Sequence, residues 1–119
     1  MSKSVRAPRV SDHFAGRAAR VRAIYDRLIQ TAEQFGYVKQ APKKTSIHLA
    51  RKTAFAGVAT RKDSIVLTLK SAADIKSARV AKREQVSAHR WHLDVKLTDP
   101  RQVDAQLAGW LKRAAALAE

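Results

Sequence analysis

The chain contains no cysteine, only four glycines, three prolines and ten acidic residues, and no long apolar run. Without cysteine there is no disulfide framework, no thiolate zinc site and no cysteine nucleophile, which fits a reducing, cytoplasmic compartment. No stretch approaches the ~20 apolar residues of a membrane span, so no membrane association is expected. Residues 1–10 carry Lys3, Arg6 and Arg9 without the apolar centre of a secretory signal, and read as a flexible basic arm. The arginine-rich, acid-poor stretch 1–23 keeps an organellar transit peptide as the minor alternative. So few glycines leave little material for phosphate-cradling loops. No P-loop, dinucleotide-binding turn, paired-carboxylate spacing or nucleophile elbow occurs. The reading leans away from an enzyme and calls for no cofactor and no metal.

What is present is positive charge. Against ten acids stand 24 lysines and arginines, a formal net charge of +14 on 119 residues. A chain of this length forms one domain with a single core, and its field favours an anionic partner. The excess is unevenly placed. Between Tyr37 and Lys62 lie Lys39, Lys43, Lys44, Arg51, Lys52, Arg61 and Lys62 without one acid, whereas the C-terminal stretch is nearly balanced.

Hydrophobic periodicity orders the elements. Phe14, Ala18, Val21, Tyr25, Leu28, Ala32 and Phe35 recur at steps of three and four, predicting a helix over 14–35, capped by Ser11 or Asp12 and ended by Gly36. From Pro42 the period becomes two. Strands are predicted around 46–50, 55–60, 65–70 and 91–97, with Gly57 marking a bulge or a close backbone approach. Asp99 and Pro100 then cap a second amphipathic helix through Val103, Leu107, Trp110, Leu111, Ala114 and Leu117. The expected class is α+β: helix, four-stranded antiparallel meander, helix, over residues 11–119, with both helices on one sheet face in two layers. Residues 71–90 form a long basic loop whose structure is open, a helical turn over 71–80 or a β-ribbon over 80–86.

The stretches 45–69, TSIHLARKTAFAGVATRKDSIVLTL, and 89–114, HRWHLDVKLTDPRQVDAQLAGWLKRA, resemble a bacterial family known as domain of unknown function 5655. The likeness lies in Phe55–Ala56, in the Arg61–Lys62 pair before an alternating strand, and in the terminal Trp110-Leu111-Lys112 helix. It covers about two-thirds of the chain. These are packing motifs, so the resemblance implies an α+β fold and transfers no catalytic role.

A meander sets Lys43 and Lys44 beside Arg61 and Lys62 at one sheet end. At the other end gather Arg51, Lys52, Lys70 and Arg90, joined by Arg79, Lys82 and Arg83 of the long loop. Two basic poles are therefore expected, and a nucleic acid or another polyanion is their natural complement. The plain alternative is a solvated basic surface. Phe14, Tyr25, Phe35, Phe55, Trp91 and Trp110 all fall in core phase, leaving Tyr37 unassigned, so contact with the phosphate backbone is preferred to base stacking.

The open sheet face offers a different function, a protein-interaction or small-ligand site built on His48, Val66, Thr68, His92 and Asp94. In sequence order, His48 and His92 stand three strand spacings apart, about 14 Å, too far to share a metal. His92 and Asp94 with Thr68 make a candidate acid–base group, against the simpler reading of an exposed polar strand with an Asp94–Lys96 pair. His13 and His89 are expected to be solvated. Edge pairing of the fourth strand or the loop ribbon across a two-fold axis would give a homodimer.

Overall fold

Ile65, Leu67 and Leu69, alternating with Val66, Thr68 and Lys70, build the central strand of the protein. The first three are buried, while the other three are half-buried on the opposite face. The computed structural model describes residues 7–118. A 3-10 helix, Val10–Phe14, leads into helix α1, Ala19–Glu33. Strands β1 (Lys39–Pro42), β2 (Ile47–Ala50), β3 (Ala54–Thr60), β4 (Ile65–Ser71), β5 (Val80–Ser87) and β6 (Arg90–Leu97) follow. A 3-10 turn, Pro100–Gln102, then precedes helix α2, Ala105–Ala116.

The six strands form one sheet in the order β1-β2-β3-β4-β6-β5, with every pair antiparallel. The class is α+β as expected, but the sheet has six strands and not four. The four predicted strands are β2, β3, β4 and β6, side by side. Two further strands extend the edges. β1 is short and carries no apolar alternation to announce it. β5 lies in the long loop, and its Val80 is buried while the rest of the strand is exposed, so no alternation marked it in the sequence. The meander also breaks after β4, because the chain passes outside the position of β6 before returning. The fourth predicted strand is thus interior, and the free edges belong to β1 and β5.

Both helices cover one face. Val21, Ile24 and Leu28 of α1 and Leu107, Leu111 and Ala114 of α2 are fully buried with Val58, Leu67, Leu93 and Val95 of the sheet. Each such valine, leucine or isoleucine contributes on the order of 1.5–3 kcal/mol by leaving water. α1 and α2 touch each other and both rest on β4.

The predicted helix over 14–35 is split. Gly16 adopts φ +73, and residues 15–18 leave the helical path. Tertiary hydrogen bonds explain why. The Thr60 hydroxyl donates to the His13 carbonyl at 2.5 Å, and the Ala18 N–H donates to the Lys62 carbonyl at 2.8 Å. A continuous helix would have used both groups internally. Ser11 and Asp12 therefore do not cap α1: Asp12 sits inside the 3-10 turn and accepts from the Arg9 N–H at 2.9 Å. Residues 1–6 of the predicted arm lie outside the described residues, and Val10 packs against the core. At the other end of α1, Gly36 has φ +126, the left-handed geometry expected where a helix stops. The C-terminal helix is also divided: Asp99 caps the 3-10 turn through the Arg101 N–H, and Asp104 caps α2 through the Leu107 N–H at 3.0 Å.

Candidate binding surfaces at the basic sheet end and on the open face

Two tight turns meet at one end of the sheet. In the β1–β2 turn the Lys43 N–H donates to the Ser46 carbonyl at 2.7 Å, and in the β3–β4 turn the Arg61 N–H donates to the Ser64 carbonyl at 2.8 Å. Because β2 and β3 are paired, with Ile47 opposite Val58, the turns are neighbours. The N-terminal segment straps both. His13 Nε2 donates to the Lys43 carbonyl at 2.8 Å, Ala18 holds the Lys62 carbonyl, and Arg20 reaches Asp63 at 3.3 Å. The backbone of the turns is thereby fixed, while the side chains of Lys43, Lys44, Arg61 and Lys62 make no ion pair with any described residue.

Of the second predicted pole, the strand-end cations stay together while the loop arginines are engaged elsewhere. Arg79 lies just before β5 and is drawn to the start of α2. There it bonds Asp104 at 2.9 Å, Gln106 at 3.1 Å and the Gln102 carbonyl at 2.6 Å. Arg83 pairs with Asp74 at 2.9 Å, a carboxylate that Lys76 also reaches at 3.3 Å. Against a desolvation cost, these two cations hold the Asp74 carboxyl below its usual range. Arg51 turns inward to the Phe35 carbonyl, next to Gly36. Lys82 stands opposite Asp94 in the middle of β5, and Arg90 donates to the His89 carbonyl on the hairpin. Lys52, Lys70 and Arg90 remain at that end and, like Lys82, make no ion pair with any described residue. Sequence spacing placed these residues by chain position, but Asp104 holds Arg79 and Asp74 holds Arg83.

The open face is concave. A cavity of about 340 Å³ lies over β3, lined by Ala54, Ala56, Gly57 and Ala59 below, by Ser46 and His48 on the β2 side, and by Thr68, Lys70 and His92 on the other. Register explains the grouping. Gly57 is opposite His48 on one flank and Thr68 on the other, and Lys70 is opposite His92. Gly57 is not a close backbone approach, since a Cβ built on it meets nothing within 4 Å. The bulge falls instead just before it, between Ala54 and Ala56, where the register against Leu49 and Ala50 shifts.

His48 and His92 share this trough but not a metal site. Their strands are separated by β3 and β4, and among the described residues no three metal-ligating side chains gather. Asp94 accepts from the Thr68 hydroxyl at 2.7 Å and bonds neither His92 nor Lys96, so the predicted acid–base group is a Thr–Asp pair beside the trough. Lys70, Ser46 and the small β3 residues were missed as lining. Their signal was the run of alanine and glycine in a strand otherwise flanked by larger side chains. Among the described residues no helix is long and apolar enough to cross a membrane.

No curated protein and no solved structure matches this chain. A family model does match, over residues 10–117, which takes in the turns, the trough and both helices: the chain belongs to the family described as domain of unknown function 5655.

Proposed function

We propose that the chain is a cytoplasmic, non-enzymatic binding module for nucleic acid or another polyanion, with the β1–β2 and β3–β4 turns as its contact. The observation that carries this reading is the set of four unneutralised side chains, Lys43, Lys44, Arg61 and Lys62, on two turns whose backbone is pinned by His13 and Ala18. Pinned turns lose little entropy on binding, and crowded like charges are relieved by phosphates. Asp63, the acid within these turns, is met by Arg20. Tyr37 is the strongly exposed aromatic, at 76 %, while Tyr25, Phe55 and Trp110 are core. Contact therefore runs to the phosphate backbone with weak sequence preference and not through stacked bases.

Fluorescence anisotropy with labelled duplex DNA and RNA, titrated at increasing salt, tests the reading. Binding near ~50 mM salt that weakens steeply as salt rises is expected. Replacing all four residues with glutamine lowers the salt slope by roughly 0.9 for each phosphate of duplex DNA that is no longer neutralised. No binding at low salt, or an affinity indifferent to salt, overturns it.

A further inference from the structure

We infer that the trough over β3 is a second, separate binding site, for a small planar ring bearing one carboxylate or phosphate group. Its depth comes from missing side chains. β3 presents Ala54, Gly57 and Ala59 where its neighbours present His48, Thr68 and Lys70. The backbone does not require glycine at 57: its φ is not positive, and the space above it is open. An interior strand position favours a branched side chain, and leaving this one bare keeps a flat peptide surface free for a ring. The 340 Å³ volume is that of a small-molecule site.

Charge selects the ring's substituent. No carboxylate lines the trough, and Lys70, with His92 directly opposite it, forms one wall. The nearest acids on that face are Asp94, which accepts from Thr68, and Glu84, which stands opposite His92 on β5 outside the lining. Lys70 has no ion-pair partner among the described residues and is half-buried, so a carboxylate or phosphate beside it forms a charge-assisted hydrogen bond. His48 closes the opposite side of the ring.

Chemical-shift titration of the ¹⁵N-labelled chain with benzoate and with phenyl phosphate tests this. Benzamide supplies the ring without the charge, and inorganic phosphate the charge without the ring. Saturable shifts at Gly57, Thr68, Lys70 and His92 are expected by about 20 mM for at least one of the two charged rings, and the one that binds tighter names the anionic group. Benzamide and inorganic phosphate bind about tenfold more weakly or not at all, and Lys70→Gln weakens the charged ring by about tenfold. Gly57→Val fills the trough and abolishes the shifts while leaving the salt-dependent DNA affinity unchanged, which separates this site from the basic turns. Shifts confined to Lys43, Lys44, Arg61 and Lys62, equal affinity for benzamide, binding that survives Gly57→Val, or no saturation with either charged ring overturns the inference. If Gly57→Val fails to fold, Lys70→Gln alone decides.

Discussion

The Arg79 guanidinium lies over the Trp110 ring, 5.7 Å from its centroid, and its Nη1 donates to Asp104 at 2.9 Å. One cation thereby fastens the segment before β5 to the first turn of α2. Asp104 has a double duty, since it also caps α2 through the Leu107 N–H. Asp104→Ala removes both, and the expected loss is about 1–2 kcal/mol, most of it from the cap because the pair is partly exposed. A midpoint shift in urea denaturation with an unchanged slope measures it.

The same carboxylate makes stability depend on pH. The Leu107 N–H first and Arg79 second hold the Asp104 carboxyl below its usual range. A depressed folded value contributes stability above the unfolded value, near pH 4, and that contribution is lost as pH falls through the folded one. Asp104→Asn keeps a capping oxygen but no charge. The stability gap between wild type and Asp104→Asn should therefore be full at neutral pH and close below about pH 4, as read from urea midpoints across that range.

Two glycines respond in opposite directions to the same substitution. Gly36 has φ +126, and a Cβ there would stand 2.9 Å from the Arg51 guanidinium. Gly36→Ala is expected to cost about 1–3 kcal/mol in backbone strain, with Arg51 displaced from the Phe35 carbonyl. Gly57→Ala meets open space in an unstrained strand and is expected to raise stability by about 0.5–1 kcal/mol. Thermal unfolding of the two variants side by side distinguishes them.

Neutralising a cation matters for polyanion binding only where no carboxylate already meets it. Arg83 is engaged by Asp74 and the Ile75 carbonyl. Arg83→Gln should therefore leave DNA affinity within about twofold, while Lys62→Gln weakens it and lowers the salt slope by the equivalent of about one phosphate. Anisotropy across a salt series ranks the pair and reads the slope.

The helical and β stripes were legible because each buries one face: Val21, Leu28, Leu67 and Val95 lie where their spacing put them. β5 was legible only as the β-ribbon alternative for the long loop, because a strand such as KREQV with one neighbour and two wet faces has no period to decide it. The break at Gly16 was hidden for another reason, since the partners that end the regular hydrogen bonding, Thr60 and Lys62, are more than forty residues away. Among the candidate residues, the adjacency of Lys43 and Lys44 with Arg61 and Lys62 was readable from the hairpin stack. Arg79 and Arg83 were misplaced because their carboxylates come from loops whose path the sequence does not reveal. His48, Thr68 and His92 were placed on the open face by alternation. The hollow between them was not foreseen, because it is made by atoms that β3 lacks.

β4 has a partner strand on each side and both helices above it, whereas β5 has one partner and an unsupported flank. Deuterium should therefore enter the sheet from its β5 margin by local fraying, and reach the amides of Leu67 and Leu69 only when the whole domain opens. The slowest protons in those two residues then report the global unfolding free energy directly, and a ligand seated over β3 would slow them further as its free concentration rises above its Kd.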